Sequence, residues 1–226
     1  MNERFSRTAR LIGENALEKL KNSSVLIFGV GGVGSYIAES LARSGVGHIC
    51  IVDGDSVSES NINRQAQATT LTVGQSKADA MAERLRLINP DIDVKTVKLF
   101  FLPENSDAID FSGFDFVCDA VDTVSAKTEI VMKAQAAGVP LVSCMGTGNK
   151  LAPELLEITD IYKTEGDPLA RVMRRELRSR GVKKLTVVYS KEIPKSDGER
   201  TPASMAFVPN SAGLLCASHV VRELIK

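Results

Sequence analysis

The chain has 226 residues, 43% hydrophobic and 25% charged, enough to bury a sizeable core and too apolar for intrinsic disorder. Its 28 basic and 28 acidic residues cancel, so any nucleic-acid or anionic partner must be met by a local patch, and 8 Phe, 3 Tyr and no Trp are few for base-stacking platforms. No apolar run approaches the roughly 18 residues of a membrane-spanning helix and the N-terminus has no apolar signal core, so a cytoplasmic protein without membrane association is expected.

From Val25 onward, short apolar runs alternate with helical periodicity, the pattern of βαβ units around a parallel sheet. Val25–Phe28 reads as the first buried strand. Val33, Ile37 and Leu41 share one helical face that ends at Gly45 and Gly47. His48–Val52 is a second strand leading to Asp53. The next helix follows Gly74, with Ala78, Met81, Leu85 and Ile88 on one face, and stops at Asn89-Pro90. Strands are expected at Val94–Leu99, Phe116–Ala120 and Leu141–Cys144, with a helix from about Ser125 to Ala137 between the last two. After Gly148 the pattern changes: Leu155–Thr159 and Leu185–Ser190 are strands flanking a very basic helix, which reads as an antiparallel extension of the sheet. Lys191–Pro202, charged and carrying two prolines, reads as a mobile crossover loop, and a last helix runs from about Ser211 to Ile225. The predicted fold is α/β: a Rossmann-like, mainly parallel sheet with helices on both faces and an antiparallel C-terminal extension.

Cys50, Cys118, Cys144 and Cys216 form no Cys-x-x-Cys pair, which argues against structural zinc, and the apolar surroundings of three of them read as buried positions rather than catalytic thiols. Gly29-Val30-Gly31-Gly32-Val33-Gly34 is a G-x-G-x-x-G on a strand-turn-helix, where phosphate approaches bare backbone amides at a helix N-terminus. Asp53, nineteen residues after Gly34, sits where a carboxylate accepts from ribose hydroxyls. The two together point to a nucleotide without saying which. Arg64, Gln65 and Lys77 then bring a guanidinium, an amide and an ammonium, which a dinucleotide dehydrogenase does not need and a triphosphate with a departing pyrophosphate does. Asp119 and Asp122 lie at the carboxyl end of another strand, where one of them could hold magnesium. Any one of these residues alone reads better as part of a solvated polar loop with incidental ion pairs.

Taken together, Gly29–Gly34, Asp53-x-Asp55, Ser60-Asn61-Ile62-Asn63-Arg64-Gln65, Gly74-Gln75-Ser76-Lys77, Asn89-Pro90 and Asp119-Ala120-Val121-Asp122 resemble the ubiquitin-activating-enzyme-like superfamily of ThiF and MoeB proteins, which adenylate carboxylates with ATP. The resemblance includes Arg4-Phe5-Ser6-Arg7, similar to an opening whose second arginine enters the partner subunit's active site. It implies a homodimer using ATP and magnesium. Gly29, Gly31 and Gly34 would shape the nucleotide turn and Asp53 would bind ribose. Arg64, Gln65, Lys77 and the partner's Arg7 would surround the phosphates, Asp122 would hold magnesium, and Asp55 and Asn61 would line the site.

The second half, with Met145–Lys150, Asp160–Thr164, Val187–Glu192 and Phe207-Val208-Pro209, resembles one branch of that superfamily, the tRNA threonylcarbamoyladenosine dehydratases. The zinc-binding cysteine pairs of sulfur-carrier activators are absent, so activation of a ubiquitin-like or sulfur-carrier C-terminus stands second. The implied organisation is one adenylating domain over residues 1–226, with 1–148 binding nucleotide and 149–226 forming the tRNA side. Between Arg171 and Lys184 stand seven basic residues against Glu176 alone, a patch suited to phosphate backbone; Arg171, Arg174, Arg175, Arg178, Lys183 and Lys184 are the candidate tRNA contacts. A solvated basic helix face is the other reading of that segment. A monovalent cation and a sulfur-transfer protein partner are left open by these residues.

Overall fold

Strand β1 (Ser24–Phe28) is buried at all but its first residue, because both faces of the sheet are covered. Val25 and Ile27 point to one layer, Leu26 and Phe28 to the other, so an unbroken apolar run is required where a one-sided strand would alternate. The computed structural model describes residues 3–195, 198–199 and 201–226. The remaining strands are β2 (His48–Val52), β3 (Asp93–Val97), β4 (Phe116–Asp119), β5 (Leu141–Cys144), β6 (Leu156–Asp160) and β7 (Thr186–Ser190). They form one sheet in the order β3-β2-β1-β4-β5-β7-β6. Every neighbouring pair is parallel except β6 with β7. The antiparallel extension is thus a single edge strand, since β7 itself continues the parallel set beside β5.

Helices α3 (Gly34–Ser44), α4 (Lys77–Ile88) and α7 (Phe207–Leu224) cover one face, with Ile37, Leu41, Met81, Leu85, Cys216 and Val220 in a common core. Helix α5 (Val124–Ala137) closes the other face over Phe28, Phe101 and Phe111, and α6 (Pro168–Ser179) packs Met173 and Leu177 against Val187 and Tyr189. The apolar stripe of α6 leaves Arg171, Arg175 and Arg178 exposed, whereas Arg174 is half-buried. Asp167 caps this helix by accepting from the Ala170 amide at 2.8 Å.

Several boundaries differ from the sequence reading. Helices α1 (Ser6–Ile12) and α2 (Glu14–Asn22) precede the first strand. Strand β3 ends at Val97, and the apolar run to Leu102 instead turns over the sheet end. Helix α7 begins at Phe207 rather than near Ser211, because Pro209 lies in its first turn, where a missing N–H breaks no helical bond. Of the expected Lys191–Pro202 loop, Ser196, Asp197 and Arg200 lie outside the described residues; the described ones carry no helix or strand. No helix among the described residues is long and apolar enough to cross a membrane.

Candidate active site

The strand order reverses between β1 and β4, and at their carboxyl ends a cleft of about 660 Å³ opens. Gly29, Gly31, Asp53, Asp55, Asn61, Arg64, Gln65, Lys77 and Asp122 all line it. Gly34 does not. It starts α3 directly under the turn, where an added Cβ would lie 1.8 Å from the Gly29 carbonyl oxygen, so its part is to let helix and turn touch. Gly29 has φ +81° and would bring a Cβ to 3.0 Å from the Ala120 carbonyl, so β4 and the turn meet without room for a side chain. Arg7 is exposed on α1 and does not line its own chain's cleft.

Asp53 fixes the glycine turn. One carboxylate oxygen accepts from the Val30 amide at 2.7 Å and the other from the Asp55 amide at 2.8 Å. Burial raises its carboxyl above the ordinary aspartate value, opposed by these two donors. From the far side the amide of Gln67 donates to the Val30 carbonyl at 2.7 Å, so both ends of that residue are held. Lys77, the first residue of α4, directs its ammonium to Asp55 at 2.7 Å. Arg64 is steadied by bonds to the Ser60 carbonyl at 3.0 Å and Asn63 Oδ1 at 2.8 Å. Asn61 caps its own turn, accepting from the Ser58 amide at 3.1 Å.

The two carboxylates at the end of β4 and just beyond it have different fates. Asp119 is wholly buried, 2.8 Å from the Lys127 ammonium and 2.5 Å from Ser143 Oγ, and faces the core. Asp122 is exposed at the cleft, bonded by Thr123 Oγ1 at 3.5 Å and in no ion pair among the described residues. Its free oxygen lone pairs suit magnesium, a hard cation that takes its other ligands from water and phosphate and needs no all-protein cage; among the described residues no group of three His, Cys, Asp or Glu forms such a cage. All four cysteines are free and buried, and burial pushes the Cys50 and Cys118 thiols up, away from thiolate chemistry.

Three contributions escaped sequence reasoning. Val52, Leu99, Phe100 and Leu102 form an apolar wall suited to a base; the signal was the run Leu99–Leu102 ending at Pro103, longer than one strand needs. Thr147, Ser204 and Pro209 bring the second half of the chain to the cleft. Lys127 on α5 and Lys150 in the loop after β5 are both buried, and neither position carries a local signal of burial.

A doubly wound sheet with a glycine turn, an acidic strand end and cationic side chains around one cleft defines an α/β protein that binds a phosphorylated nucleotide. The chain belongs to the ThiF family, whose model matches residues 5–225. It is 43% identical to the tRNA threonylcarbamoyladenosine dehydratase of Bacillus subtilis (strain 168), over 100% of this chain and 96% of that protein. The crystal structure of the E. coli enzyme TcdA in complex with ATP superposes with a TM-score of 0.94 at 36% identity, covering 99% of this chain and 94% of the other. The molybdopterin-synthase adenylyltransferase of Escherichia coli (strain K12) is 35% identical over 70% of this chain and 61% of its own length.

Proposed function

We propose that this protein catalyses the ATP-dependent dehydration of threonylcarbamoyladenosine in tRNA by way of an acyl-adenylate. The observation that carries the reading is the convergence of Arg64, Lys77 and Asp122 on the glycine turn, in a chain 43% identical from end to end to a dehydratase of that name.

A free carboxylate is a poor acyl donor because oxide is not a leaving group at neutral pH. In the first step the threonyl carboxylate attacks the α-phosphorus of ATP, a new carboxylate-to-phosphorus bond forms, and the bond to pyrophosphate breaks. Arg64 and Lys77 offset the charge gathering on the phosphates, with the backbone amides of the Gly29–Gly34 turn around them. Asp53 holds that turn and presents its remaining lone pairs to the ribose. Asp122 would hold magnesium, which supplies further charge neutralisation when bound. In the second step the substrate's own carbamoyl nitrogen attacks the activated carbonyl, loses its proton and closes a five-membered ring as AMP leaves. This ring closure is intramolecular, a large effective concentration, and calls for no protein nucleophile. That fits a cleft without a cysteine.

The basic face of α6 and the turn after it serves the tRNA. Asp167, which caps α6, is bonded to Lys150 at 2.8 Å in the loop that also carries Thr147, so the start of the helix is tied to a loop that reaches the cleft. Arg171, Arg174, Arg175 and Arg178 line an open groove of about 480 Å³. Arg174 is committed inward, donating to the Thr164 carbonyl at 2.8 Å and to its hydroxyl, and Arg178 lies over the Tyr162 ring at 5.2 Å. Arg171, Arg175, Lys183 and Lys184, all exposed, are left as the principal phosphate contacts. The working unit is a cytoplasmic homodimer in which Arg7 completes the neighbouring cleft.

The test is mass spectrometry of nucleosides from threonylcarbamoylated tRNA incubated with protein, ATP and magnesium. Loss of the mass of one water, with one AMP formed per event, is expected. An unchanged nucleoside, with ATP consumed only when a carrier protein ending in Gly-Gly is supplied, would move the activity to carrier adenylation.

A further inference from the structure

Lys127 is a wholly buried lysine on the first turns of α5 that takes no part in the chemistry above. Its ammonium lies 2.8 Å from the Asp119 carboxylate and donates to the Val121 carbonyl at 3.1 Å and the Cys144 carbonyl at 2.7 Å. Three donors thus meet three acceptors, and the group is saturated. Asp119 is engaged in turn by Ser143 Oγ at 2.5 Å and the Val121 amide at 3.3 Å.

A buried ion pair contributes little net stability relative to apolar side chains of similar volume, so stability alone gives no reason for it. What the node joins gives one. Val121 immediately precedes Asp122, and Cys144 ends β5 and leads into the loop of Gly146 and Thr147; Asp122 and Thr147 both line the cleft. An apolar side chain at position 127 would fill the same space but leave both carbonyls without a partner and both peptides free to rotate. A second node continues the arrangement, for Lys150, also buried, donates to the Gly146 carbonyl at 2.7 Å and to Asp167 at 2.8 Å. The carbonyls of Val121, Cys144 and Gly146 are therefore held from beneath by two ammonium groups.

We propose that Lys127 is a positioning residue, which fixes the Val121 and Cys144 peptides and thereby sets Asp122 against the Thr147 loop. The proposal rests on the reading that Asp122 meets magnesium and the phosphates. Its reach is restricted to that wall of the cleft, because Val30 of the glycine turn and Asp53 are held by other bonds, and the apolar wall by Asn105, which accepts from the Leu102 amide and donates to the Phe100 carbonyl.

The single change Lys127→Met strands a buried carboxylate and risks misfolding, so the informative variant is the neutral pair Asp119→Asn/Lys127→Met, with Asp119→Asn/Lys127→Gln as its companion. Both are measured in the whole protein for thermal unfolding, for ATP affinity with and without magnesium by calorimetry, and for turnover on threonylcarbamoylated tRNA. The expected result is a folded protein with magnesium-free ATP affinity within about threefold of wild type, little or no gain of affinity on adding magnesium, and kcat lower by about 30-fold or more. A folded pair with the wild-type magnesium response overturns the proposal, because the node would then only balance charge. Failure of both pairs to fold overturns it too, leaving a structural ion pair. If the wild type binds ATP with magnesium but does not turn over tRNA, the functional reading fails while the calorimetry still decides the role of Lys127.

Discussion

Lys77 and Asp55 meet twice: the ammonium reaches the carboxylate at 2.7 Å, and the Lys77 amide donates to the Asp55 carbonyl at 2.9 Å. The backbone bond pins the loop after β2 to the start of α4. The side-chain bond needs another reason, because a cation in the first turn of a helix opposes the helix dipole. Asp55 offsets that cost and parks the ammonium at the cleft, where phosphates would compete for it. Lys77→Met should therefore fold at least as well as wild type and lose about 100-fold or more in kcat/KM for ATP, read by pyrophosphate release. Asp55→Asn, which retains the backbone bond, should change kcat/KM by less than about tenfold. Comparable losses in both would make the pair, rather than the ammonium, the working element.

Asp119 and Asp122, three positions apart, should separate cleanly on mutation. Asp122→Ala removes an exposed carboxylate and should abolish pyrophosphate release with unchanged unfolding temperature. Asp119→Ala leaves the Lys127 charge buried without its partner and should destabilise the fold by about 3–5 kcal/mol. Denaturant melts and a pyrophosphate assay on the two variants check this. An active Asp122→Ala protein with normal magnesium dependence would mean that another group holds the metal.

This contrast marks how far the sequence was legible. The central strands are fully apolar and flanked by turn residues, and the glycine turn with Asp53 at the next strand end is a local pattern, so fold and cleft could be read directly. Helices α1 and α2 were not, because few of their residues are buried, Ala9, Leu17 and Leu20 among them, and their pattern is too sparse to separate from a polar N-terminus. The buried lysines were opaque for a different reason. Lys127 sits in an ordinary helical stretch, and what makes burial tolerable is a carboxylate and two carbonyls delivered by β4, β5 and the turn after β4. Such partners are set by tertiary packing and leave no local mark.

The basic segment should divide by whether each arginine points inward or outward. Reversing Arg171, Arg175 and Lys183 to Glu should raise KM for tRNA about tenfold or more and flatten its salt dependence, with ATP affinity unchanged. Arg174→Ala should instead lower the unfolding temperature, since it removes the bonds to Thr164 that tie α6 to the turn after β6. Titration of tRNA binding against salt, beside thermal melts, distinguishes the two. If the triple reversal leaves tRNA binding intact, this face is only a solvated helix surface.

Arg7 allows a test that no single-chain geometry provides. It is exposed on α1 and absent from its own cleft, which accords with action on a neighbour but equally with a solvated N-terminal helix. If each cleft is completed by the partner's Arg7, then Arg7→Ala and Asp122→Ala are each inactive alone. After the two are denatured, mixed equally and refolded, about half the dimers are mixed; in these, one cleft lacks both residues and the other has both. Activity should return to about a quarter of wild type, since half the dimers then carry one good site of two. An Arg7→Ala protein with full activity would reduce α1 to a surface helix. Two dead single variants whose mixed dimers form, as judged by a size or affinity tag, yet recover nothing would place Arg7 within its own chain and end the cross-subunit reading.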